Sequence, residues 1–268
     1  MTNRIKVYFL ALTIVVAGCA KKAEIAPESE TDDARLLELF SGDAPKMCIN
    51  KAVGADDKHT HGVVLRDKFW SNGQKLRVKF MNEDSFLHGK VLKYASKWMQ
   101  HANISVQLVT GSAPSDIRIA FKYEGDETSW SYIGKDAKLI DKTKPTMNFG
   151  WFTKTTAEDE FSRVIIHEVG HALGLAHEQS SPAVNINWNK ANVYWYYKQP
   201  PNSWTTEQID YNIFYRYPAS QVYHSPYDPK SIMQYPVDPR FTKDGIGIGW
   251  NTVLSSIDKI VIGRVYPK

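Results

Sequence analysis

The sequence predicts one mixed α/β (α+β) domain behind a short leader and a polar tether. Three observations predict it. Strand-like alternation runs through the first half of the chain, as at Leu76, Val78 and Phe80 between Lys75, Arg77 and Lys79. A helical segment with cap residues lies near the middle and another near the end. No internal repeat is present, and 43% hydrophobic with 12% aromatic residues is a globular rather than a disordered composition. At 268 residues, one large domain with N-terminal extras suits the length.

The elements follow in order. Arg4 and Lys6 precede an apolar run, Val7 to Val16, that is too short for a membrane span, so residues 1–18 read as an export signal. Val16-Ala17-Gly18-Cys19 resembles a bacterial lipobox, which implies a lipid on Cys19 and anchorage to the cell envelope, at the outer membrane, with release after processing as the alternative. Residues 20 to about 35 are small, polar and charged, and read as a tether. Arg35 to Phe40 suits a helical turn ended by Ser41-Gly42-Asp43-Ala44-Pro45. Asn50 to Gly62 is polar, and the packed domain is expected over residues 61–268, with 19–60 as tether and propeptide.

Within that domain, Asp84 or Ser85 starts a helix with an apolar stripe of Phe86, Val91, Tyr94, Ala95 and Trp98. Ile104 to Val109, Asp116 to Tyr123 and Thr146 to Trp151 read as further strands, the second with period two. Thr156 is expected to cap a helix running to about Leu173. Thr205 with Gln208 caps a short helix through Ile213, and Ser255 with Asp258 caps a last helix to about Val265.

The chemistry concentrates in HEVGHALGLAH, His167 to His177. His167 and His171 lie four apart, one turn above the other on one helix face, so both imidazoles can reach one ion. Glu168 can point into the same cavity without ligating. Gly174 can take the left-handed conformation that stops the helix, and the reversed chain then delivers His177. Three protein ligands leave a fourth tetrahedral position for water, the arrangement of a catalytic zinc site. The bland reading is an amphipathic helix with packed histidines. It leaves unexplained why three of the eight histidines fall on these spacings. The net charge of +4, two of it from the leader, forms no basic stripe, which argues against nucleic acid as partner.

With these residues the chain from about His61 to Tyr266 resembles the metzincin metalloendopeptidases, in particular bacterial astacin-like and matrixin-like members. HEVGHALGLAHE carries the acidic residue, Glu178, that astacins place after the third histidine. Ser231-Ile232-Met233-Gln234-Tyr235 is similar to their Met-turn, and Asp116 to Phe121 (DIRIAF) followed by Ser129 to Gly134 (SWSYIG) to their substrate-aligning edge strand. The resemblance implies a zincin-like fold: a twisted mixed sheet with an antiparallel edge strand, a central zinc helix, a C-terminal helix and a cleft between two subdomains. It implies one Zn2+ per chain on His167, His171 and His177, Glu168 as general base, Met233 as an apolar floor and Tyr235 as oxyanion donor. Protein or peptide is the implied substrate. The stretch after His177 (EQSSPAVNINWN) departs from the Arg- and Asp-rich segment of animal astacins, and their four disulfide cysteines are absent.

Latency is a further expectation. Phe40-Ser41-Gly42-Asp43 resembles the astacin propeptide pattern in which an aspartate fills the open zinc position. Cys48 can do the same as a thiolate, a softer ligand well suited to zinc. The two stand as alternatives beside a third, in which neither is a switch, and either one implies an activating protease cutting between Cys48 and Trp70. Two rival readings are a non-catalytic binding module and a zincin of another clan with a downstream glutamate as third ligand. The first has no missing ligand or base to support it, and the second leaves Gly174 and His177 unexplained.

Overall fold

In the computed structural model the described residues are 36, 39–40, 47–51, 68–82, 84–200, 202–223 and 225–268. The leader, Cys19 and Asp43 lie outside them. Two compact units, Met1–Ser41 and Gly42–Lys268, divide the chain. In the first, Phe40 N–H donates to Leu36 O (2.9 Å), the i→i−4 bond of the expected helical turn. The elements below all belong to the second.

Six strands form one sheet: β1 (Ile49–Lys51), β2 (Lys75–Phe80), β3 (Ser105–Leu108), β4 (Ile117–Phe121), β5 (Trp130–Tyr132) and β6 (Met147–Phe149). Their order is β1-β5-β6-β4-β2-β3. All neighbours are parallel except β5 and β6. The expected antiparallel strand is therefore present, but it is not the edge, because β1 pairs outside it with Ile49 opposite Trp130 and Lys51 opposite Tyr132. Nothing in the polar stretch around Asn50 marks this strand, since its pairing is supplied by β5. β4 is buried at every position rather than on alternate faces. Its inward charge, Arg118, is accommodated by hydrogen bonds to the carbonyls of Lys144 (2.6 Å), Ile140 (3.1 Å) and Asp141 (3.2 Å).

Helix α1 (Ser85–Met99) starts where Asp84 accepts from the N–H groups of Phe86 and Leu87. It buries Leu87, Val91, Tyr94, Ala95 and Trp98. Phe86, expected in this stripe, is 39% exposed, and Leu87 takes the inward place. α1 packs on α2 (Glu158–Ala172), where Trp98 Nε1–H donates to Ile166 O at 2.8 Å. The helix α2 lacks the expected cap: Ala157 holds the N-cap position, and the Thr156 hydroxyl instead accepts from Thr153 N–H (2.9 Å). Glu158, Asp159 and Glu160 in the first turn favour the positive end of the helix dipole in its place.

Helix α3 (Lys190–Lys198) precedes α4 (Thr206–Ile209), whose Thr205–Gln208 capping box is formed as expected. The α-helix ends at Ile209, and Asp210–Phe214 continues as a wider turn. The last helix, α5 (Ser256–Val265), has the expected Ser255–Asp258 capping box.

Candidate metal centre and active site

Past its exposed first turn α2 is buried all round, every residue from Phe161 to Ala172 included. It lies under the sheet on one side and against the Met233 turn on the other. Gly170, between two of the histidines, makes the second contact possible. A Cβ there would stand 2.4 Å from Met233 Sδ and 3.1 Å from the Trp98 ring. The helix ends in a Schellman turn: Leu175 N–H reaches Gly170 O (3.0 Å) and Gly174 N–H reaches His171 O (2.8 Å). Gly174 has φ +99°, which only glycine adopts readily.

This turn brings the three histidines together as the spacing predicts. Nε2 of His171 is 3.1 Å from Nε2 of His167 and 3.2 Å from Nε2 of His177. A tetrahedral zinc with Zn–N bonds of about 2.0–2.1 Å has ligand edges of about 3.3–3.4 Å, so the spacing fits that ion. The other ring nitrogens of the two helix histidines are engaged: His167 Nδ1 with Ile232 O and His171 Nδ1 with Leu175 O, each at 2.8 Å. Such carbonyls hold the proton on Nδ1 and leave the Nε2 lone pair for a metal. Burial pushes all three imidazoles toward the neutral, ligating form, His171 down to about 4. The residues present thus fit zinc.

Glu168 is fully buried beside them, and burial raises its carboxyl to about 8. Neither oxygen has a partner in hydrogen-bond geometry, although the Cys48 thiol lies against it and softens the burial. An uncompensated buried carboxyl is costly and calls for a function. The Cys48 Sγ, a His167 ring nitrogen and a Glu168 oxygen lie within 4.8 Å of one another. Burial first, then the Glu168 charge, push the thiol pKa up.

Tyr235 is buried with its ring 4.0 Å from that of His177, and its hydroxyl donates to the Cys48 carbonyl. Met233 is 2% exposed beneath the site, and its carbonyl accepts from Glu178 N–H at 3.0 Å. Asp258 is a site residue that sequence reasoning took for a helix cap alone. Its carboxylate accepts from Ser231 Oγ (2.7 Å) and Ile232 N–H (2.9 Å), fixing the carbonyl that holds His167. Arg163 was also missed. Its guanidinium lies 4.0 Å over the Trp250 ring beside Met47 in the cleft. No sequence signal marks either role, because both depend on partners some 25 or more residues away.

A neutral imidazole trio, a turn of Met233 under it and a strand beside it define the class: this is a zinc metallopeptidase of the metzincin fold. The matrixin family pattern matches residues 70–200. Two solved structures of myroilysin are similar: one at 41% identity and TM-score 0.74 covers 77% of this chain and 99% of that one. The other, at 35% identity and TM-score 0.61, covers 90% and 97%. The chain belongs to the metzincin metalloproteases, in the group of myroilysin. High choriolytic enzyme 1, a hatching enzyme zinc-protease from Oryzias latipes (Medaka fish), shares the fold at 18% identity and TM-score 0.50, with 75% and 94% covered. Among curated proteins none matches.

Proposed function

We propose that the chain is an astacin-like zinc endopeptidase made as a latent, exported precursor. The observation that carries this reading is the convergence of three buried imidazoles beside the buried Glu168 carboxyl, which only the Cys48 thiol approaches. His167, His171 and His177 would hold one Zn2+ per chain. Bound zinc supplies Lewis acidity toward a water and a peptide carbonyl. Glu168 takes the proton of the attacking water and returns it to the leaving amine.

Tyr235 already donates to a main-chain carbonyl, that of Cys48, so its hydroxyl can donate to a substrate oxygen as negative charge develops there. Tyr235→Phe should lower kcat by about 10²-fold and leave KM nearly unchanged, as loss of one oxyanion donor does. An unchanged kcat would remove Tyr235 from the reaction.

β5 offers its edge to an extended peptide by strand addition, and β1 occupies that edge in the precursor. Together with the Cys48 thiol, this supports autoinhibition by residues 47–51, relieved by an activating protease. The Asp43 alternative lies outside the described residues. Cys19 would carry the lipid that anchors the chain to the outer membrane; metabolic labelling with palmitate tests this, and a chain that takes up no label has no anchor. For the activity itself, the processed chain should hydrolyse casein, lose that activity to a zinc chelator and regain it with added Zn2+. Hydrolysis indifferent to the chelator would overturn the reading.

A further inference from the structure

A groove of about 250 Å3 lies beside α2, next to the face that lines the catalytic cleft, between the end of α1 and the start of α5. Lys97, His101 and Lys259 line it over an apolar floor of Ile166 and Leu254. No acidic residue is among the lining groups. Among the described residues, neither Lys97 nor Lys259 has a carboxylate partner, whereas Lys90 and Lys93 on the same helix both pair with Glu158. A third lysine, Lys268, stands at the rim with its Nζ on Gln100 O (2.8 Å). The molecule thus gathers unneutralised positive charge around a concavity with low-dielectric walls, which focuses its field on an anion. The volume lies just under the roughly 300 Å3 at which ligand pockets for drug-sized molecules begin. That size suits one or two peptide side chains.

The groove shares a wall with the active site. Trp250 and Asn251 line the cleft beside Met47 and His167, while Val253 and Leu254, two and three residues on, line the groove. This strap is clamped to α2 at two places: Arg163 stacks on Trp250, and Ser162 Oγ–H donates to Thr252 O at 2.6 Å. We infer that the groove between α1, α2 and α5 is an exosite that captures an acidic segment of a protein substrate away from the bond to be cut. Its carboxylates meet Lys97 and Lys259, and their stems lie on the apolar floor. The inference rests on the peptidase reading for the identity of the occupant, not for the binding.

Binding is therefore measured without turnover, on the full chain carrying Glu168→Gln, in which residues 47–51 cover the cleft. The probe is a fluorescein-labelled hexaglutamate peptide, followed by fluorescence anisotropy. Lys97→Glu combined with Lys259→Glu should weaken binding by roughly tenfold or more, as loss and reversal of complementary rim charges does. Lys142→Glu with Lys144→Glu, on another surface, should leave it unchanged. A hexaglutamine peptide should bind far more weakly than hexaglutamate. Should the double reversal impair folding, Lys97→Gln with Lys259→Gln carries the same expectation at smaller effect. Equal affinity in the groove variants, equal loss in the control pair, or equal binding of hexaglutamine would overturn the exosite and leave the peptidase reading intact.

Discussion

Glu168→Gln is expected to retain zinc and lose nearly all peptidase activity. The substitution preserves the shape of the side chain and the burial of its site, but an amide cannot accept and return a proton. General acid–base groups of this kind contribute about 10²–10⁴ in rate, and a decrease of that size in kcat is the expected result. Zinc content should not change, because His167 and His171 are held by Ile232 O and Leu175 O, and neither contact involves Glu168. Peptide hydrolysis by the processed variant at the parent's rate would refute the assignment of the base.

The second large effect is expected from Cys48→Ala in the uncleaved precursor. Three interactions hold residues 47–51 in the cleft: the β1–β5 pairing, the Tyr235 bond to the Cys48 carbonyl, and the thiol beside His167 and Glu168. A three-residue strand is a weak hold by itself, and the thiol is the element that would compete for the metal. Each 1.4 kcal/mol removed from the grip opens the site about tenfold, so the uncleaved variant should process a fluorogenic peptide at least about ten times faster than the uncleaved parent. Mass spectrometry of the chain must show that it is still intact. A variant as latent as its parent would transfer the block to strand pairing and Tyr235, or to Asp43.

Much of this was legible because the chemistry sits on local spacing. His167 and His171 are neighbours by helical geometry alone, and Gly174 announces the turn that delivers His177. The capping boxes at Thr205 and Ser255 were equally readable, being contacts three residues long. What the sequence hid is decided by distant partners. β1 is a strand only because β5 offers an edge, and β4 loses its alternation because both of its faces are covered. Thr156 looked like a cap, but its hydroxyl turned to Thr153. Asp258 was visible as a helix cap, while its grip on Ile232, and through it on His167, required the fold.

The most direct test of the whole account is the metal content of the purified chain with and without His177. The intact protein should contain close to one zinc per chain, and His177→Ala should lose most of it while keeping its fold by circular dichroism. A chain with no stoichiometric transition metal, or a His177→Ala variant that keeps its zinc in full, would contradict the three-histidine site.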